Sequence, residues 1–284
     1  MNSFLAYLFY FIASTASPLQ RRWLAKTQHT TADNQILFAF HVSLIISMLG
    51  FGLLLFEPFR ISGDYVMLAT ATILCGISGA LSYVFLYSAQ KHVEAGVTSV
   101  VSNIYTPVTI ILSFVLLNEK LTNTQIFGAT LLCIAMVIIS GKHKIGKYTF
   151  DKYFLCVLLS GIFLGILITA ERYLQKTSGF TAGALLSWWA TCFCLGVAAL
   201  FTKNKYSYSK KDVAITGVLR FAQNVSWVSL VFVVGNLSVV SAVTTFKVVL
   251  MFIAGAWLLD EREDLPRKFV GAGVAVAGLL LMIK

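Results

Sequence analysis

The sequence predicts an all-α integral membrane protein with ten transmembrane helices, arranged as two inverted five-helix repeats. Composition is the first of three observations behind this prediction, because 58% of the 284 residues are hydrophobic and only 12% are charged. Soluble domains carry about 25% charged residues, so the composition argues against a soluble globular enzyme, a disordered chain and a disulfide scaffold. The other two observations are the spacing of the apolar runs and a correspondence between the two halves of the chain.

Ten apolar runs follow one another along the chain, separated by short charged segments. A transmembrane helix needs about 20 apolar residues, whereas the strands of a membrane barrel would alternate with a period of two. The first run has no basic segment before it and no small-residue cleavage site, so we interpret it as a retained first helix. Such a chain has no room for a soluble domain, and its function must lie inside the bundle. The predicted helices are 3–20, 35–56, 65–89, 95–117, 123–140, 153–174, 181–202, 212–234, 237–259 and 267–283.

The two halves of the chain repeat. Leu116-Leu117-Asn118-Glu119-Lys120 closes span four, and Leu258-Leu259-Asp260-Glu261-Arg262 closes span nine, 142 residues later. At the other end of the repeat, the segment 22–27 resembles the segment 172–177. Five spans in each half is an odd number, so the second repeat, 146–284, must be inverted relative to the first, 1–145. Inverted repeats are typical of secondary transporters, whose substrate site lies near the midplane between them.

These features resemble a known family. Five plus five spans, Leu-Leu-Asn-Glu and Leu-Leu-Asp-Glu closing spans four and nine, and a Gly- and Ala-rich span after each are similar to the drug/metabolite transporter superfamily, of the EamA-like type. The resemblance covers nearly the whole chain and implies the ten-helix fold. It also implies a role for Lys247, because nucleotide-sugar and triose-phosphate carriers of this superfamily hold their anionic substrate with a lysine of the ninth helix. The chain lacks the longer motifs of those branches, so neither substrate is implied.

Lysine and arginine are unevenly divided between the two ends of the predicted bundle. Loops after odd-numbered spans carry 15 of these 22 residues, and the other loops and chain ends carry 5. The positive-inside rule would place the 15 in the cytoplasm and both termini outside, whereas the resemblance implies cytoplasmic termini, so the orientation stays open. Cations in membrane loops indicate a multi-pass protein of the cell (inner) membrane, with the lipid bilayer and not nucleic acid as its partner.

The two remaining cations, Arg220 and Lys247, lie inside spans eight and nine. A cation at the centre of a membrane helix costs at least about 2.5 kcal/mol on insertion scales and normally faces a cavity, a partner charge or a substrate. The acidic residues, Glu171 among them, are placed near span ends, so we expect no counter-charge at this depth. The pair therefore predicts a cavity of positive potential suited to a carboxylate or a phosphate, although Arg220 could instead reach an interface.

Polar and aromatic residues accompany these two cations. Because residues spaced i, i+3, i+4 and i+7 share one face of a helix, the stripe that Arg220 begins is expected to face the bundle interior. Hydroxyl groups in membrane helices also serve helix packing alone, and that alternative stays open for each of them. The full set of candidate substrate-binding residues is Lys247, Arg220, Gln223, Asn224, Trp227, Ser102, Asn103, Tyr105 and Thr244.

His41 in span two is a candidate for proton coupling, because a histidine within a membrane can titrate near neutral pH. A histidine bonded to a neighbouring helix is the alternative. No metal-binding motif, cofactor motif or nucleotide-binding loop is found in the sequence, so we expect no cofactor and no enzymatic activity.

Parts of the sequence also suggest two other functions, an intramembrane serine protease and a flippase. Gly76-Ile77-Ser78-Gly79 matches the G-x-S-G of intramembrane serine proteases, but that chemistry needs a histidine within reach of the serine. A flippase for a lipid-linked anionic substrate would need a groove open to lipid, whereas a carrier of small molecules would place both cations around an enclosed cavity.

The sequence therefore predicts a secondary active transporter that moves a small organic metabolite, anionic or zwitterionic, by alternating access. Small residues in the last span suit packing against span five or against a second protomer in a homodimer; they are Gly271, Gly273, Ala275, Ala277 and Gly278.

Overall fold

Helices are the only regular secondary structure among the residues that the computed structural model describes. These are residues 3–27, 32–117, 123–140, 151–202, 208–234, 247–261 and 264–281. The helices are α1 (Ser3–Thr27), α2 (Ala32–Gly50), α3 (Tyr65–Ala89), α4 (Ala95–Ser102), α5 (Tyr105–Leu117), α6 (Asn123–Ser140), α7 (Lys152–Ser178), α8 (Phe180–Leu200), α9 (Lys210–Val234), α10 (Lys247–Leu258) and α11 (Leu265–Leu281), with a 3-10 helix at Phe51–Leu55.

Among the described residues, four helical segments are long and apolar enough to cross a membrane. They are Gln35–Leu55, Tyr65–Ala89, Lys152–Ser178 and Phe180–Leu200, and Lys247–Leu258 is a shorter apolar helix. In its coarser form, an all-helical membrane protein, the predicted fold class is confirmed.

The first helix continues past the charges that were expected to end it. Arg21 and Arg22 were assigned to the first loop, but α1 runs on to Thr27 and both arginines are buried. The Arg21 guanidinium lies 4.3 Å from the centre of the Phe38 ring and 4.5 Å from that of Tyr87, within the range of cation–π attraction. Such tertiary partners make buried cations tolerable within a helix, and the sequence alone does not reveal them.

Span four, predicted as one helix over 95–117, is two helices. α4 ends at Ser102 and α5 begins at Tyr105, with a turn at Asn103 and Ile104 between them. Pro107 explains the break, because proline has no N–H and its ring clashes with the carbonyl group four residues earlier, that of Asn103. The freed carbonyl of Asn103 instead accepts a hydrogen bond from the Thr106 amide at 3.0 Å.

Several helices of the first half of the chain pack against helices of the second half. α3 lies against α7 and α8, α1 against α9, and α2 against α8 and α9, while α6 pairs with α11 on the outside. Ala275 of α11 and Ala135 of α6 belong to one buried cluster, whereas Gly273 and Ala277 are exposed. Contact between α3 and α8 is close at Gly76, where an added Cβ would lie 2.8 Å from the Cys194 Sγ and 2.9 Å from the Ala190 carbonyl oxygen.

At one end of the bundle, Glu261 joins the two halves of the chain. Its Oε1 pairs with the Nε of Arg22 at 2.8 Å and lies 3.5 Å from the Nζ of Lys26. Its Oε2 accepts a hydrogen bond from the Ala95 amide at 2.8 Å, at the positive N-terminal end of α4. A second ion pair, between Lys268 and Glu94, lies at this same end.

At the opposite end, Glu57 makes the equivalent kind of contact. Its Oε2 accepts a hydrogen bond from the Thr181 amide at 3.0 Å, in the first turn of α8. Gly179 makes the tight turn from α7 into α8 with φ of +86°, a backbone conformation that residues with a Cβ rarely adopt. At both ends, therefore, a glutamate of one half of the chain caps a helix of the other half.

Candidate functional site

A cavity of about 140 Å³ lies among the helices. This volume would hold on the order of ten water molecules. Its walls come from α1, α2, α3, α5, α7, α8, α9 and α10, so both halves of the chain line it.

Lys247, the first residue of α10, faces this cavity. Its Nζ lies 5.5 Å from the centre of the Tyr105 ring, within the range of cation–π attraction. The hydroxyl group of Tyr10 is a second neutral neighbour of the ammonium group. These partners are neutral, so the positive charge of Lys247 is still available to a ligand.

Arg220 lines the same cavity from α9. Its Nη1 donates to the Oε1 of Gln223 at 2.8 Å, and its Nε lies 3.4 Å from the Tyr83 hydroxyl group. The guanidinium carbon lies 5.1 Å from the centre of the Tyr83 ring. Gln223 and Tyr83 therefore orient the guanidinium without neutralising it.

The α9 stripe faces the cavity as its helical spacing predicts. Gln223, Asn224 and Trp227 all line the cavity beside Arg220. The ring centres of Trp227 and Tyr10 lie 5.8 Å apart, so aromatic side chains of α9 and α1 meet at this wall. Offset and tilted aromatic pairs of this kind form a well-packed apolar surface.

The structure brings together six of the nine predicted substrate-binding residues: Lys247, Arg220, Gln223, Asn224, Trp227 and Tyr105.

Ser102 and Asn103 are at the break between α4 and α5, and neither is among the residues that line the cavity. The Ser102 hydroxyl group donates to the Ser99 carbonyl oxygen at 3.2 Å, and Asn103 is buried. Thr244 lies outside the described residues. His41 also does not line the cavity, and its Nδ1 lies 2.7 Å from the Leu37 carbonyl oxygen.

A carboxylate lines the cavity, contrary to the sequence-based expectation. Glu171 was placed near a span end because charged residues follow it, yet α7 continues to Ser178. Seven further residues of helix correspond to about 10 Å, so Glu171 lies well inside. Leu164, Leu167, Ile168 and Glu171 form one face of α7 and line the cavity together. That spacing was the signal in the sequence that could have identified Glu171.

The sequence analysis also missed the contribution of α3 and α8. Ser82 and Tyr83 line the cavity from α3, and Ser187, Trp188 and Thr191 line it from α8. Ser82 could have been found, because the repeat offset of 142 residues pairs it with Asn224. The α8 residues lie in an apolar run with no charge to mark them.

The glycines of the G-x-S-G segment pack α3 against α8. Gly76 and Gly79 lie against Ala190 and Thr191. The Ser78 hydroxyl group donates to the Leu74 carbonyl oxygen, one turn earlier in its own helix. This segment therefore serves helix packing.

Comparison with known proteins agrees with this architecture. Residues 1–141 match the EamA-like transporter family. A curated relative, the probable terminal-alkyne amino-acid exporter of Streptantibioticus cattleyicolor, is 27% identical over 222 residues, which are 74% of this chain and 71% of the exporter. The chain belongs to the EamA-like transporters of the drug/metabolite transporter superfamily. The predicted resemblance is thus confirmed, and the protein is a multi-pass membrane transporter of metabolites.

A protein of known crystal structure has the same fold as this EamA-like transporter. It superposes with a TM-score of 0.58 at 16% sequence identity, covering 97% of this chain and 98% of the other. At that identity the likeness shows the fold alone.

Proposed function

We propose that this EamA-like protein is a secondary active transporter of small carboxylate-bearing metabolites, with amino acids as the first candidates. It carries them across the cell (inner) membrane by alternating access, through ten transmembrane spans built as two inverted repeats, 1–145 and 146–284.

Helix packing supports the inverted repeat. We count α4 and α5 as one span, so that each span of the first repeat corresponds to the span five positions later: α1 to α7, α2 to α8 and α3 to α9. Under this correspondence the contact of α1 with α9 matches that of α7 with α3. The contact of α2 with α9 likewise matches that of α8 with α3. Tyr105 and Lys247, which both line the cavity, are 142 residues apart, the same offset as the two acidic motifs.

The substrate class rests on one observation, the convergence of Lys247 and Arg220 on a cavity between the two halves of the chain. Each has neutral neighbours, so a substrate carboxylate could accept charge-assisted hydrogen bonds from both. The relative that exports an amino acid supports this choice of substrate. Because eight helices contribute to the cavity wall, its form favours a small molecule over the lipid-linked substrate of a flippase.

Contacts at the two ends of the bundle support alternating access. Glu261 joins the halves at one end and Glu57 at the other. Opening the cavity to one side would require only one of these contacts to separate, while the other still closes the opposite side. Coupling to protons through His41, and assembly as a homodimer, stay predictions.

The test is substrate transport by Lys247→Ala and Lys247→Arg variants in proteoliposomes. We expect Lys247→Ala to lower the initial rate of amino-acid transport at least about 10-fold, the effect of losing a charge-assisted hydrogen bond, and Lys247→Arg to retain part of it. Lys176→Ala is the matched control, because Lys176 is exposed near the end of α7. Full transport by a correctly inserted Lys247→Ala variant would refute this assignment.

A further inference from the structure

The Glu171 carboxylate is an unusual group in the cavity. Its Oε1 is buried and has no hydrogen-bond partner, and the residue lines the same cavity as Lys247 and Arg220. A buried carboxylate normally needs a paired charge and hydrogen bonds to offset the loss of water. This unpartnered oxygen therefore indicates a site that a ligand completes.

The two cations of the cavity do not supply that partner. Within the described part of the chain, the ion pairs involve neither Lys247 nor Arg220. Their close partners are Tyr10, Tyr105, Tyr83 and Gln223. The cavity thus contains two cationic groups and a carboxyl group that forms an ion pair with neither of them.

Helix geometry separates the two kinds of charge. The Tyr105 carbonyl oxygen approaches α7 at Gly165, where an added Cβ would lie 3.0 Å from it, and the ammonium of Lys247 lies over the ring of Tyr105. Glu171 lies six residues further along α7, which corresponds to about 9 Å. The carboxylate is next to the Trp188 side chain. Along α7, the carboxyl group of Glu171 therefore lies at a different level of the cavity from the ammonium group of Lys247.

We infer that Glu171 is a subsite for a positively charged amino group of the transported molecule. The inference rests on the proposed function and makes it more specific, because the cargo is then a zwitterion whose carboxylate faces Lys247 and Arg220 and whose ammonium donates to Glu171. A molecule bound in this way supplies the partner that the buried Oε1 lacks. It also aligns the dipole of the cargo with that of the cavity, which discriminates against simple carboxylic acids.

The experiment compares ligands that differ only in the amine. The probes are L-2-aminopent-4-ynoate with pent-4-ynoate, and L-leucine with 4-methylpentanoate. Binding to the purified full-length protein is measured by tryptophan fluorescence, since Trp188 and Trp227 line the cavity. For the wild-type protein we expect the amino acids to bind about 10-fold or more tightly than their amine-free partners, the effect of a charge-assisted hydrogen bond.

Glu171→Gln should remove that discrimination, since a neutral amide forms a weaker bond with ammonium. The amine-free acids should bind to this variant no more weakly than to the wild-type protein, because they lose no bond to Glu171. Glu171→Asp keeps the charge and should retain part of the discrimination. Asp264→Asn, at an exposed carboxylate away from the cavity, is the matched control. Equal losses for both members of a ligand pair, or unchanged discrimination, would overturn the inference. So would a Glu171→Gln variant that keeps its amine discrimination and loses only its response to a pH gradient.

A second measurement covers the case in which Glu171→Gln does not fold. Dicyclohexylcarbodiimide modifies buried carboxyl groups, and its reaction at Glu171 in the wild-type protein is quantified by peptide mass spectrometry. The amino acids should slow this reaction and the amine-free acids should not; equal rates with both would overturn the inference. If Lys247→Ala binds the amine-free acids as tightly as wild type does, the proposed function fails. If the wild-type protein binds the amine-free acids as tightly as the amino acids, and Lys247→Ala loses that binding, the proposed function stands and only the amine subsite is refuted.

Discussion

The Nε of Arg22 and the Oε1 of Glu261 form an ion pair of 2.8 Å, although 239 residues separate them along the chain. Only 6% of the Arg22 side chain and 5% of the Glu261 side chain are exposed. This contact attaches the first helix to the segment that follows α10. It also explains why two adjacent arginines do not end α1.

Removing the negative partner should therefore destabilise the protein strongly. Glu261→Gln would leave the charge of Arg22 buried without a counter-charge, which typically costs about 3–5 kcal/mol. The measurement is thermal or denaturant unfolding of the purified protein. Asp264→Asn is the control, because the pair of Asp264 with Arg267 has side chains 39% and 33% exposed and should contribute less than about 1 kcal/mol. Similar shifts for the two variants would contradict the structural role of the buried pair.

Gly76→Ala should destabilise the contact between α3 and α8. The added Cβ would lie 2.9 Å from the backbone oxygen of Ala190, which can move only if α8 shifts, and overpacking of this kind costs about 1–3 kcal/mol. Gly273→Ala is the matched control in α11, because no heavy atom lies within 4 Å of its added Cβ. There alanine should be neutral or stabilising, since it favours a helix more than glycine does. Unfolding measurements should separate the two variants, and equal stabilities would contradict the close approach.

A reciprocal serine pair joins α3 to α7. The Ser82 hydroxyl group donates to the Ser160 carbonyl oxygen at 3.0 Å, and the Ser160 hydroxyl group donates to the Ser82 carbonyl oxygen at 3.0 Å. Hydrogen bonds between membrane helices average about 0.6 kcal/mol, so each serine-to-alanine change should be mild. Unfolding of Ser82→Ala, Ser160→Ala and the double variant should give a measurable interaction energy. Strict additivity would show that the two serines act independently.

Arg220→Lys should weaken substrate binding although it keeps the charge. A lysine cannot reproduce the planar guanidinium that contacts Gln223 and Tyr83 together. We expect an affinity loss of about 10-fold, the effect of about 1.4 kcal/mol, and a larger loss for Arg220→Gln. Binding assays on the full-length protein provide the measurement, with Arg172→Lys as the control outside the cavity wall. Wild-type affinity in Arg220→Lys would mean that only the charge matters at this position.

Many of the residues that line the cavity could be predicted from the sequence. Cations within membrane helices carry a free-energy cost that draws attention to them, and the helical period identifies the residues on the same face. Lys247 and Arg220 stand out as cations within apolar runs, and helical spacing then places Gln223, Asn224 and Trp227 beside Arg220. This reasoning failed for Glu171, because the charges after it were interpreted as the end of a span. It also failed for Trp188, which no pattern distinguishes from other residues of an apolar helix.

The sequence by itself determined that this is a membrane-embedded helical transporter of the EamA-like family, because hydrophobic length and short motifs are local properties of the chain. Only the tertiary structure decided which charges are buried together. Arg22 meets Glu261, and Glu171 shares a cavity with Lys247, because folding brings together parts of the chain that are distant in sequence. Whether a charged residue can lie inside a bundle depends on the partners that surround it, and those partners exist only after the helices have packed.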